Sequence, residues 1–143
     1  MDIYNDLSSR FVVESKQLGA TEEELNQLRA ISPIDVPSEY AEIVKQATDL
    51  EINVDSSMYL RIWGPSRCIE LNEAHNVHMY MPHSLAIGDD EGGRGLFYLS
   101  GKSGFGLYVT GFGNLDIDEA EYLAPTLNDL LKNNVGVERL LEY

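Results

Sequence analysis

Apolar residues follow a helical spacing at both ends of the chain and alternate with polar ones in the middle. Ile3, Leu7, Phe11 and Leu18, with Val13 and Glu14 between them, predict a first helix ended by Gly19. Thr21 followed by Glu24 is a capping-box pair, in which a hydroxyl and a carboxylate satisfy each other's backbone N–H groups at a helix start. It predicts a second helix carrying Leu25, Leu28 and Ile31 on one face and stopped by Pro33. Pro37 suits the first turn of a third helix, where Tyr40, Ile43, Val44 and Ala47 recur and Glu39 and Glu42 complement the dipole.

The pattern changes near residue 55. Met58, Leu60 and Ile62 alternate with Tyr59, Arg61 and Trp63, which predicts a strand. Gly64-Pro65-Ser66 reads as a turn, and Arg67 to Leu71 as a resumed extended segment. Ser84 to Ile87 reads as a short buried strand ended by the Gly88–Gly93 turn. Gly95 to Ser100 and Phe105 to Thr110 flank Gly101-Lys102-Ser103-Gly104 as a hairpin, and Gly111 to Leu115 as a turn or a further short strand. Leu123, Leu127, Leu130 and Leu131 form a helical stripe near Pro125. Asn133, Asn134 and Gly136 mark its exit, and Val137, Leu140 and Leu141 a last short helix. Helices, a strand meander and helices again give an α+β class: a mostly antiparallel sheet with helices packed on one face. The 143 residues suit one domain, residues 1–143, with 1–32 as its N-terminal helices.

Charge narrows the function classes. Residues 1–55 carry 12 acids against 4 bases and residues 56–143 carry 12 against 6, for a net charge of −14 with no acidic tail. Such a surface repels phosphate backbones and anionic lipid, and steers a basic protein toward it. The longest apolar runs, such as Leu96 to Leu99, are far short of the ~20 residues of a membrane span. The first ten residues do not read as a secretory signal, and the single cysteine, Cys68, has no intrachain partner. The expectation is a soluble, cytoplasmic protein.

Each patch of candidate chemistry has a plainer explanation. His75, His78 and His83, with Glu70 and Glu73, include zinc-ligand residue types, but no HExxH spacing is present and Pro82 breaks any single helix across them. A polar connecting segment with no metal fits better. Gly101-Lys102-Ser103 lacks the glycine five positions upstream that a phosphate loop needs, and a hairpin turn accounts for it. Asp89, Asp90 and Glu91 before Gly92-Gly93 lack the spacing of a calcium loop, so a tight turn with positive-φ glycines is expected. Asp116, Asp118, Glu119 and Glu121 form a second acidic run, read as solvated loop or as a partner-facing patch. Neither a GxSxG element nor a local Cys–His frame is present, and no catalytic residue or cofactor is expected.

Several segments taken together resemble a known superfamily. They are Pro37-Ser38-Glu39-Tyr40, Tyr59 to Trp63, Cys68 to Asn72, Leu85 to Gly93, and the strands with Gly95-Leu96-Phe97-Tyr98 and Gly106-Leu107-Tyr108-Val109. In order and spacing, over residues 33–143, they resemble the SUKH superfamily. The nearest branch is named after a fungal regulator of cell-wall glucan synthesis and killer-toxin resistance. The resemblance implies an α+β fold and a binding role. Bacterial members look like immunity proteins that neutralise polymorphic toxins, often nucleases or deaminases, and fungal members like signalling scaffolds. Tyr40, Trp63, Glu70, Gly88, Asp90 and Gly93 are the family-like positions. The resulting expectation is a non-catalytic module docking a basic toxin domain through Asp89, Asp90, Glu91, Asp116, Asp118, Glu119 and Glu121. The alternatives are a regulatory scaffold for endogenous proteins and a small metal-dependent enzyme.

Overall fold

The computed structural model describes residues 1–142. Its seven strands form one antiparallel sheet in sequence order. They are β1 (Phe11–Gln17), β2 (Thr48–Val54), β3 (Met58–Ile62), β4 (Leu85–Asp89), β5 (Arg94–Gly101), β6 (Gly104–Gly111) and β7 (Glu121–Ala124). Six helices flank this meander: α1 (Glu22–Ile31), α2 (Ser38–Gln46), α3 (Pro65–Ala74), α4 (Val77–Tyr80), α5 (Leu127–Leu131) and α6 (Val137–Leu141). The class is α+β. Among the described residues no helix is long and apolar enough to cross a membrane.

Local chemistry explains the helices that the sequence makes legible. At α1 the Thr21 hydroxyl accepts from the Glu24 N–H at 3.1 Å, and the Glu24 carboxylate accepts from the Thr21 N–H at 3.0 Å. The helix buries Leu25 and Leu28 and stops before Pro33. Pro37 stands just before α2 rather than inside its first turn, its carbonyl taking the Ala41 N–H at 3.1 Å. Tyr40, Ile43 and Val44 are fully buried from that helix, which packs on β2 and α5.

Four elements differ from the sequence reading. No helix spans Ile3 to Leu18: residues up to 10 form turns, and Phe11–Gln17 is β1. Ile3 is buried in a turn, its N–H donating to Gln46 of α2 at 2.9 Å, so the spacing of Ile3, Leu7 and Phe11 does not mark one helical face. Thr48–Val54, which follows α2, is a strand in which Leu50, Ile52 and Val54 point inward. Residues 67–71 belong to α3 instead of an extended segment, with Pro65 in the first turn and Cys68 and Asn72 buried one turn apart. Leu123 likewise lies on β7, leaving the helical stripe to Leu127, Leu130 and Leu131.

Asn72 explains why α3 sits where it does. Its Nδ2 donates to the Ala86 carbonyl at 2.8 Å and its Oδ1 accepts from the Ala86 N–H at 3.0 Å. Direct β3–β4 pairing is confined to Arg61↔Asp89 and Ile62↔Gly88, so β4 has no strand neighbour at Ala86 on that side. One side-chain amide takes the place of a strand's peptide group and satisfies both buried backbone groups.

The two halves of the sheet are buried differently. In β2 and β3 burial alternates strictly, with Leu50 opposite Ile62 and Ile52 opposite Leu60 in the core, and Glu51 opposite Arg61 on the other face. In β4 all five residues are buried, and the middle of β5 is buried on both faces. The 112–120 segment packs Phe112, Leu115 and Ile117 against the core near β5. Phe112 also meets Trp63, Phe97 and His75, the last stacked at 4.0 Å between ring centres. A Cβ on Gly95 would lie 2.5 Å from the Phe112 ring, so only glycine leaves room for this cluster.

Candidate interaction surface

Consecutive aspartates at the end of β4 go to different arginines. Successive side chains along an extended segment point to opposite faces. Asp89 joins a row across three strands, Glu51–Arg61–Asp89, set by the register of β2, β3 and β4. Its Oδ1 takes the Arg61 Nε–H at 2.9 Å and the Glu91 N–H at 2.8 Å, and its Oδ2 takes the Trp63 indole N–H at 2.8 Å. Gly88 permits this close approach of β4 to β3, since a Cβ there would stand 2.1 Å from the Arg61 carbonyl oxygen.

Asp90 fastens the start of β5 to the C-terminal helix. Its Oδ2 accepts from Arg94 Nε at 2.6 Å, and its Oδ1 from the N–H groups of Gly92 and Arg94 at 2.8 and 3.0 Å. Arg94 in turn donates to the carbonyls of Leu140 and Glu142 at 2.7 and 2.9 Å. Asp89 and Asp90 are only 7% and 5% exposed. The sequence reading places both in a partner-facing patch; in the structure their carboxylates are enclosed and ion-paired with Arg61 and Arg94.

Glu91 remains exposed, at φ +58°, in a turn where Gly93 also takes positive φ. Desolvation, the hydrogen bond with Glu51 and that residue's charge hold the Glu91 carboxyl above its ordinary value, outweighing Arg61 Nη1 at 3.7 Å. The sequence gives no local cue that Glu51, 40 positions earlier, joins this site; strand register supplies it.

The second acidic run is exposed throughout. Asp116 accepts from the Asp118 N–H at 2.9 Å and so caps a single 3-10 turn, Ile117–Glu119, where a loop was expected. Glu119 and Glu121 line a groove of about 280 Å³ with Glu142, beside Arg94. Asp118, Glu119 and Glu121 also line an adjoining cleft of about 440 Å³ with Lys102, Ser103 and Arg139, where Arg139 reaches Glu121 at 3.5 Å. The structure thus separates Asp89 and Glu91, on the Arg61 row, from Asp90, whose partner Arg94 borders the Glu119–Glu121 groove. Glu142 is the member of this groove that its place near the end of the chain conceals.

The remaining candidates do not converge. His75 ends α3 against Phe112, His83 is exposed, and His78 is half-buried with its Nε2 enclosed and lacking a hydrogen-bond partner. Burial lowers the pKa of His78. Among the described residues no three His, Cys, Asp or Glu side chains are grouped to hold a metal ion. Lys102 and Ser103 form the two-residue turn between β5 and β6. Cys68 is enclosed beside the Tyr40 hydroxyl at 3.2 Å, and burial pushes its thiol up to about 12. Compared with known proteins, the chain matches no protein-family model and no curated protein.

Proposed function

We propose that this protein is a non-catalytic binding module of the cytoplasm that neutralises a basic toxin domain by occupying it with exposed carboxylates. The observation that carries this reading is the groove of Glu119, Glu121 and Glu142. Among the described residues the arginine in its wall, Arg94, is held by Asp90, and Arg139 reaches only Glu121, so three carboxylates share the groove with one partial ion pair among them. A net charge of −14 over the whole chain adds a long-range field of the same sign. Glu91, Asp116 and Asp118 extend the exposed acidic surface, while Asp89 and Asp90 are left out of it. The resemblance to the SUKH superfamily supports the same role, since its bacterial members look like toxin-immunity proteins.

The test is co-expression of this chain with basic nuclease- or deaminase-like toxin domains. The expected result is a stoichiometric complex and rescue of growth. A chain that binds endogenous proteins and leaves such a domain fully toxic would refute the immunity role and favour a regulatory scaffold.

A further inference from the structure

A further cleft lies away from both acidic runs of the sequence. It measures about 540 Å³ and is lined by Asp35, Val36, Pro37 and Glu39 on one side and by Phe105, Pro125 and Thr126 on the other. Among the described residues no Lys, Arg or His lines it. Phe105, at the start of β6, is 51% exposed, although its ring stacks on Tyr98 with 5.9 Å between centres and 17° between planes.

Tyr98 builds both walls. Its ring backs Phe105, and its hydroxyl donates to Glu39 Oε1 at 2.7 Å while accepting the Leu127 N–H at 3.1 Å. Glu39 is therefore fixed in position, among the described residues no Lys, Arg or His is ion-paired with it, and Asp35 is exposed at the rim. The N-terminus of α2 directs about half a positive charge into this space. Two full carboxylates outweigh it, and the cleft remains anionic.

We infer that this cleft is the receptor for a single arginine side chain of the basic partner, stacked on Phe105 and bound by Glu39 and Asp35. A guanidinium is planar, weakly hydrated and forked, so it can lie over an aromatic face and donate to carboxylates at its edge. A lysine ammonium matches the charge but not the plane. The inference rests on the partner being basic, and it assigns a specific anchor to a reading that otherwise depends on diffuse charge.

The test is an NMR titration of the full chain with acetyl-Gly-Arg-Gly-amide, alongside the lysine and citrulline counterparts. The arginine peptide is expected to shift the amides of Val36, Glu39, Phe105 and Thr126. The lysine peptide should bind more weakly, and citrulline, which has a similar shape without the charge, should leave those signals in place. Glu39→Gln keeps an acceptor for Tyr98 and should weaken binding about tenfold, the loss of one charge-assisted hydrogen bond. Phe105→Leu and Asp35→Asn, on the surface, should each weaken it as well. Equal shifts with citrulline, or shifts confined to Glu119 and Glu121, would overturn the inference. The second of those results leaves the proposed acidic docking intact. Conversely, arginine-specific shifts at Phe105 in a chain that fails to bind a basic toxin domain would support the cleft and count against the toxin.

Discussion

The indole N–H of Trp63 donates to Asp89 at 2.8 Å, and both residues are buried. Asp89 is thus shared among Trp63, Arg61 and the backbone of the β4–β5 turn. Replacing it with alanine leaves an enclosed indole donor without an acceptor. Asp89→Ala is expected to cost about 1–3 kcal/mol in urea unfolding. Arg61→Ala should cost less, because the Arg61 side chain is 40% exposed and Asp89 keeps the Trp63 and Glu91 N–H donors. The opposite ranking would mean that the ion pair, rather than the enclosed donor, dominates.

Asn72 is the second polar residue on which the core depends. Asn72→Leu keeps the volume and removes the two hydrogen bonds to Ala86, leaving a buried N–H and C=O unpaired. The expected loss is roughly 2–3 kcal/mol. Amide exchange at Ala86 should accelerate more than exchange at Leu60 in β3. Uniform acceleration across the sheet would argue that Asn72 supports the whole fold rather than the β4 edge.

How much of this was legible depends on whether the signal was local. The Thr21–Glu24 box, the buried stripe of Tyr40, Ile43 and Val44, and the aromatic hairpin around Lys102 and Ser103 are short-range patterns, and they form as read. β1 defied the reading because only Phe11 in it is buried; pairing with β2, more than 30 residues later, makes it a strand. β2 itself carries a strict two-residue alternation from Leu50 to Val54 that the helical pattern before it obscures. At the acidic site the sequence shows carboxylates but not their neighbours. Asp89 and Asp90 look alike in the chain, and only tertiary structure encloses both and gives each its own arginine.

Glu91 gives the protein a distinctive pH response. Its folded pKa lies above the ordinary value of 4.5, because partial desolvation in the turn and the neighbouring Glu51 disfavour the charged form. The folded state holds that proton more tightly than the unfolded chain does. The contribution therefore favours folding at low pH and is lost as the pH rises past 4.5 through the raised value. Glu91→Gln should have a higher urea midpoint than wild type at pH 7, with the gap closing toward pH 4. A gap independent of pH would show that repulsion from Glu51 is not its cause.

Cys68 serves as a reporter of opening. Enclosed in the core, with its thiol pushed up to about 12, it should resist a disulfide reagent at neutral pH until the protein unfolds. Tyr40→Phe removes the hydroxyl that donates to the Trp63 carbonyl at 2.6 Å. That variant should label faster in proportion to its lost stability. Rapid labelling of the wild type would contradict the enclosure of Cys68 beside Tyr40.

The acidic groove is tested most directly by the rate at which the chain associates with a basic toxin domain that it neutralises on co-expression, measured by stopped flow across a range of salt concentrations. For wild type, the rate should fall steeply as salt rises. Glu119→Lys with Glu121→Lys should lower it on the order of tenfold at low salt while changing dissociation less. Association that ignores both salt and charge reversal would contradict docking through these carboxylates.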